Sequence, residues 1–283
     1  MKGIRMETTP HITVIGGGTM GRGIAVAALV NTAATLSLVE TASERHGSLR
    51  KSIADEVADR GGSAPPARLT FFADVSEAPE ADLIVEAVPE IPTLKTAVLR
   101  AAEMRLRVGG ILTSNTSSLS ISELAATLAQ PARFLGMHFF QPVPDTVLTE
   151  LILHPGVAGV TVETAQRWTQ QLNRESITAA DAPGFATSRL GLAIGLEAMR
   201  MVEEGVASAA DIDRGMQLGY QHAVGPLRMT DMVGLDVRLA ISEYLESTLG
   251  PRFAPPQILR DMVAAGHFGR KSGQGFFAWD NAE

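Results

Sequence analysis

The chain has 283 residues, of which 45% are hydrophobic and 19% charged, with a mean hydropathy of +0.12. That is the make-up of an ordinary globular protein with room for two domains. A net charge of −7 and a pI near 5.4 argue against nucleic acid or anionic membrane as main partners. The absence of Cys excludes a disulfide framework, a thiolate nucleophile and a Cys-ligated metal. The longest early apolar run, residues 24–30, is far too short to span a bilayer. The first ten residues lack an apolar signal core, so a cytoplasmic location is expected.

Residues 11–16 read as a buried strand ending in glycine, followed by a small-residue helix over 19–30 and a second strand over 35–40. A polar helix is expected from 43 to about 60, stopping at Gly61-Gly62-Ser63-Ala64-Pro65-Pro66. Strand patterns recur at 69–72, 82–88, 110–114, 134–140 and 148–153, with helical patterns around 93–107 and 120–129 between several of them. This alternation predicts a mostly parallel sheet of the Rossmann type over residues 1–182. From Ala182-Pro183-Gly184 onward the pattern is helical only, roughly 185–204, 209–218, 226–248 and 255–265. Residues 183–283 therefore read as an all-α substrate and dimerisation domain. The leucine-rich stretch with Leu190, Leu192, Ile194 and Leu196 is expected to serve a homodimer interface.

Gly16-Gly17-Gly18-Thr19-Met20-Gly21 matches G-x-G-x-x-G and has the context that gives this motif meaning. A strand precedes it, a helix follows, and the next strand closes in Glu40. Gly16 permits the tight turn, Gly18 lets the backbone approach a pyrophosphate, and Gly21 lets helix and strand pack closely. The pyrophosphate is expected on the free amides of the helix start at Thr19 and Met20. Glu40 would accept hydrogen bonds from the adenosine ribose and repel a 2′-phosphate. With no Arg directly after it, NAD is favoured over NADP.

His138 and Glu150 both lie in apolar runs that read as strands, with Pro142 and Pro144 between them. Their midpoint is position 144, so a reversal there makes them cross-strand neighbours. A carboxylate against one ring nitrogen sets the tautomer and leaves the other as a base for an alcohol proton. Taken alone, the pair favours the plainer reading of a His and a Glu at frayed strand ends. His11, His46, His154, His222 and His267 show no metal-ligand spacing, and no metal is expected.

With these features placed, the chain resembles the 3-hydroxyacyl-CoA dehydrogenase family over nearly its whole length. The match is carried by the glycine motif, Glu86-Ala87-Val88-Pro89-Glu90 with Lys95, and Ser114-Asn115-Thr116-Ser117-Ser118-Leu119. It continues through His138-Phe139-Phe140-Gln141-Pro142-Val143-Pro144 with Glu150, and Ala182-Pro183-Gly184-Phe185. In the last third it rests on Gly225-Pro226-Leu227, Asp231, Gly234-Leu235-Asp236 and the closing Gly269-Arg270-Lys271-Ser272-Gly273-Gln274-Gly275-Phe276-Phe277. The resemblance implies an NAD-dependent oxidoreductase that interconverts a 3-hydroxyacyl thioester and its 3-oxo form. His138 would be the general base, Glu150 its orienting partner and Ser117 a hydrogen-bond donor to the substrate hydroxyl. Asn115, Glu90 and Lys95 would lie near the nicotinamide ribose, although Lys95 reads equally as a solvated helix residue, and Ser117 and Asn115 could simply complete a turn.

Four positions depart from the family pattern: Gln141 and Ser188 stand where relatives carry Asn, and Val147 and Gln274 where they carry Lys or a similar polar residue. The stretch from Glu40 to Leu69 also lacks the lysine-rich hairpin that flanks CoA in relatives. Gln141 and Ser188 suggest a reshaped substrate pocket, and the missing hairpin leaves the acyl carrier open. A CoA thioester is the first expectation. A hydroxyacyl group on an acyl carrier protein, or a small free hydroxy acid, is the second, and a catalytically silent NAD-binding or crystallin-like protein the third. The 3-hydroxyisobutyrate dehydrogenase type is rejected because residues 184–199 contain no Lys for its catalytic role.

Overall fold

The structure is a computed structural model and describes residues 9–62 and 66–280. The Ser63-Ala64-Pro65 part of the expected breaker run lies outside the described residues. The chain divides into two compact units, residues 1–182 and 183–283. No helix among the described residues is long and apolar enough to cross a membrane.

The first unit is built on an eight-stranded sheet in the order β3-β2-β1-β4-β5-β6-β7-β8. The strands are β1 (His11–Ile15), β2 (Thr35–Val39), β3 (Leu69–Phe72), β4 (Ala81–Glu86), β5 (Leu106–Ser114), β6 (Phe134–Phe139), β7 (Leu148–Leu153) and β8 (Glu175–Ala180). β1 to β6 pair in parallel, β7 runs antiparallel to β6, and β8 is parallel to β7. The order 3-2-1-4-5-6 reverses between β1 and β4, and ligands of open α/β sheets bind outside the carboxyl ends of the strands at such a point. β1 is buried along its whole length, as expected of a parallel strand covered on both faces.

Helix α1 (Thr19–Asn31) is buried at eight of its thirteen positions, because Gly and Ala let it settle deep against the sheet. A Cβ at Gly21 would fall 1.8 Å from the Gly16 carbonyl oxygen, so only glycine allows this approach. α2 (His46–Asp59), α3 (Pro92–Glu103), α4 (Ile121–Ala125) and α5 (Gly159–Gln171) complete the unit. Several bounds differ from the sequence reading. The polar helix opens with a 3₁₀ turn at Ser43–Arg45, β5 begins four residues earlier, and α4 is half the expected length. α5 and β8 have no counterpart in the sequence reading. β8 is an edge strand with no fully buried residue, so it lacks the apolar signal that marks its neighbours.

The second unit contains α6 (Thr187–Glu203), α7 (Ala209–Tyr220), α8 (Pro226–Val233), α9 (Leu235–Leu249) and α10 (Gln257–Ala264) around a core with Leu192, Leu196, Met199, Leu227 and Leu245. The single helix expected over 226–248 is broken at Gly234, whose φ of 105° lies outside the helical region. Buried Asp231 then anchors the closing segment. Its carboxylate accepts from Phe276 N, Phe277 N and Trp279 Nε1, each at 2.9 Å. A Cβ at Gly275 would lie 2.2 Å from Asp231 Oδ1, and one at Gly269 would lie 2.3 Å from the Asp231 carbonyl. Gly269 and Gly275, two of the three glycines of the closing motif, thus serve the approach to Asp231.

Replacing Asp231 with Ala strands three donors at once and should cost more than about 3 kcal/mol in urea unfolding, since each unsatisfied buried donor costs about 1–3 kcal/mol. A variant of near-normal stability would show that the segment is held by other contacts.

Candidate active site

Each strand from β1 to β6 except β3 delivers a site residue at its carboxyl end, so the candidates gather on one edge of the sheet. β1 ends in the glycine turn, where Gly16 N donates to Val39 O at 2.8 Å and φ is 108°. A Cβ at Gly18 would meet nothing within 4 Å, and Gly18 caps α1 with no side-chain bond and no acid in the first turn. The amides around Thr19 and Met20 are therefore not claimed by a capping side chain, and the adjoining space is open. This is the cradle a dinucleotide pyrophosphate requires.

Glu40 follows β2 and is almost wholly buried. It accepts from Gly17 N at 3.2 Å, from Ala42 N at 3.1 Å and from Arg45 Nη1 at 2.9 Å. Arg45 also reaches the Gly17 carbonyl at 3.3 Å. This half-exposed guanidinium beside Glu40 escaped the sequence reading. It sits five positions after Glu40 in the 3₁₀ turn, and no motif marks it.

After β4 comes a chain of charges that runs from buried Glu86 and Lys95 to exposed Glu90. Lys95 is only 1% exposed, which removes the solvated-helix alternative. Its Nζ donates to Glu86 Oε1 at 2.8 Å and Val88 O at 3.1 Å, and pairs with Glu90 Oε2 at 3.2 Å. All three ammonium protons are thereby directed at protein acceptors. Glu90 Oε1 in turn accepts from Ser117 N at 3.1 Å, Ser118 N at 3.2 Å, Ser118 Oγ at 2.9 Å and the Thr116 hydroxyl. Burial pushes the Glu90 carboxyl up, but Lys95 and the Thr116 and Ser118 hydroxyls outweigh it and hold it below its ordinary value. Its hold on the loop is therefore present above the ordinary glutamate range and is lost as pH falls through its own lowered value.

That loop leaves the end of β5. Asn115 Oδ1 accepts from Phe139 N at 2.9 Å, tying the loop to β6 beside His138. Ser117 is exposed, with its amide anchored on Glu90. In the β6–β7 ladder His138 pairs with Glu150, and Nδ1 lies 2.9 Å from Glu150 Oε2. Glu150 is fully buried and His138 7% exposed, with the Phe140 ring 4.5 Å from the imidazole between centroids. Gln141 is exposed at the start of the turn after β6, whereas Ser188 lies half-buried in the first turn of α6, in the other unit. Val147 is exposed at the far end of that turn. Gln274 belongs to the closing segment of the second unit, its amide on the Gly275 carbonyl.

The family model for the 3-hydroxyacyl-CoA dehydrogenase NAD binding domain matches residues 11–182, and the model for the C-terminal domain matches residues 184–279. The chain belongs to the 3-hydroxyacyl-CoA dehydrogenase family. A 3-hydroxybutyryl-CoA dehydrogenase of Mycobacterium tuberculosis is 35% identical, over 96% of this chain and 99% of that one. The crystal structure of (S)-3-hydroxybutyryl-CoA dehydrogenase from Ralstonia eutropha superposes with a TM-score of 0.88 at 33% identity, over 96% of this chain and all of that one. Also similar, with a TM-score of 0.76 and 30% identity over 96% of this chain and 92% of that one, is 5-formyl-3-hydroxy-2-methylpyridine 4-carboxylic acid 5-dehydrogenase, an NAD⁺-dependent dismutase. As a 3-hydroxyacyl-CoA dehydrogenase family member the protein is an oxidoreductase, and its first unit is the NAD-binding domain.

Arg45 makes the cofactor site testable. Removing the acid with Glu40→Ala leaves a guanidinium able to meet a 2′-phosphate. The kcat/KM preference should then move toward NADP by roughly 10- to 100-fold, the worth of one charge-assisted hydrogen bond. Glu40→Ala/Arg45→Ala should lose that gain, and an unchanged ratio in the single variant would remove both residues from the ribose site.

Proposed function

We propose that the protein interconverts a 3-hydroxyacyl thioester, CoA-linked, and its 3-oxoacyl form, with His138 as general base and acid and Glu150 as the group that orients it. The observation that carries this reading is a carboxylate with no exposed surface lying 2.9 Å from His138 Nδ1. Glu150 favours the tautomer with its proton on Nδ1, so His138 works through Nε2. In the oxidative direction Nε2 takes the hydroxyl proton, and Glu150 stabilises the imidazolium that results. In the reductive direction the protonated ring returns that proton. NAD, held by the glycine turn and Glu40, would supply the hydride acceptor and donor.

The other residues position and bind. Ser117 Oγ hydrogen-bonds the substrate oxygen, from a loop whose backbone Glu90 grips. Glu90 and Asn115 face the nicotinamide ribose, and Lys95 acts on it through Glu90. Gly16, Gly18 and Gly21 with the amides at Thr19 and Met20 hold the pyrophosphate, and Glu40 the adenosine ribose. Gln141 shapes the acyl site. The names of the relatives support CoA as the carrier. A smaller free acid has one observation in its favour: the outer face of α2 sets Asp55, Glu56 and Asp59 against Lys51, while Arg22 and Arg60 both lie 3.8 Å from Glu56. Such a face suits a polyphosphate poorly.

NADH oxidation on acetoacetyl-CoA, on the same acyl group loaded on a carrier protein and on free acetoacetate separates these carriers, and acetoacetyl-CoA should be fastest. His138→Ala should lower turnover on the order of 10²–10⁴-fold with NAD binding intact. A His138→Ala enzyme of near-normal turnover would end this mechanism.

A homodimer through the second unit is part of the same proposal. Leu192 and Leu196 are spent in that unit's own core, but Leu190 is 63% exposed and α8 and α9 expose Met229, Met232, Val233 and Val237. Light scattering at micromolar concentration should give twice the chain mass, and a monomer mass would refute the dimer.

A further inference from the structure

The turn that joins β6 to β7 sets how His138 meets Glu150, and its Val143 is buried against Gly23 of α1. Pro144, Thr146 and Val147 face Ala27, Val30 and Asn31 of α1 across a cavity of about 130 Å³. Within the turn, Asp145 N and Thr146 N both donate to the Pro142 carbonyl, at 3.1 and 3.0 Å. On the outside, Arg60 pairs with Asp145 at 2.7 Å, an exposed contact of small worth.

The strongest grip comes from Arg174, just past α5. One end of its guanidinium fork donates to the Val143 carbonyl and the other to the Thr146 carbonyl. Its carbon centre lies 5.3 Å from the Phe139 ring, the residue next to His138. The following amide, Glu175 N, donates to the Val147 carbonyl at 2.8 Å, so the turn is held at three carbonyls from one side. Arg174 is only 6% exposed and, among the described residues, makes no ion pair with a carboxylate, and burial pushes its guanidinium down from the ordinary arginine value. A buried cation compensated only by carbonyl dipoles and a ring face is costly. A lysine could reach one of the carbonyls. Only a planar fork spans both while lying against the ring.

We infer that Arg174 is the positioning residue of the β6–β7 turn, fixing the seat of His138 on Glu150. The inference rests on the His138–Glu150 reading given above. Arg174 touches neither substrate nor cofactor, so its loss should appear in the chemical step and not in NADH binding. The test uses Arg174→Gln, Arg174→Lys and His138→Ala in the full chain, with turnover on acetoacetyl-CoA and NADH affinity by fluorescence titration. Arg174→Gln should lower kcat on the order of 10- to 100-fold, the effect of a small misplacement of a reacting group, with NADH affinity unchanged. Arg174→Lys should recover part of the loss. Wild-type kcat in Arg174→Gln, or a fall in NADH affinity that parallels kcat, would overturn the proposal. If the Gln variant does not fold, Arg174→Lys decides it: reduced kcat at unchanged NADH affinity supports the role, and wild-type kcat overturns it. Normal turnover in His138→Ala would instead remove the underlying mechanism, whatever the Arg174 variants do.

Discussion

A carboxylate with no surface of its own cannot be left without partners inside a β-sheet, and the site is organised around that requirement at Glu150. The antiparallel pairing of β6 and β7 puts His138 directly across from it, and the imidazole answers the acid at 2.9 Å. A one-residue slip of this register would turn every side chain of β7 to the opposite face and bury an unanswered charge. The turn between the strands, the Asn115 bond to Phe139 N and the Arg174 fork all act on that register.

The rest of the edge follows the same logic of satisfied buried charge. Glu86, Lys95 and Glu90 form a chain from the sheet interior to the loop that carries Ser117, with each link a short polar contact. Lys95 directs all three ammonium protons at protein acceptors, so in the proposed site it acts on the cofactor through the carboxylate it holds. Removing one member of such a chain leaves the others uncompensated, which costs more than the pair itself contributes. The cofactor half is built differently, from glycines whose missing side chains leave the α1 amides open, with a single acid locked by Gly17, Ala42 and Arg45.

Much of this was legible in the sequence because it depends on local pattern. The strand–glycine–helix–strand–acid run identified the nucleotide half, and the symmetric placement of His138 and Glu150 about Pro144 predicted the register that the ladder shows. What escaped depends on burial or on contact across the fold. β8 is a polar edge strand, and the start of β5 is exposed, so neither carries an apolar period. Gly234 interrupts a helical pattern through one backbone angle, which the pattern itself does not encode. Lys95, Arg45 and Arg174 are ordinary charged residues in the sequence. Their roles come from which carbonyls and carboxylates the fold brings within reach.

The central claim is that Glu150 holds His138 in one tautomer, and ¹⁵N NMR of histidine-labelled protein reads this directly. With NAD bound and the ring neutral, Nδ1 should resonate as a protonated, pyrrole-like nitrogen and Nε2 as an unprotonated, pyridine-like one, and Glu150→Gln should mix the two forms. A wild-type spectrum with the proton on Nε2 would contradict the account, because the nitrogen assigned to the substrate could then not act as the base.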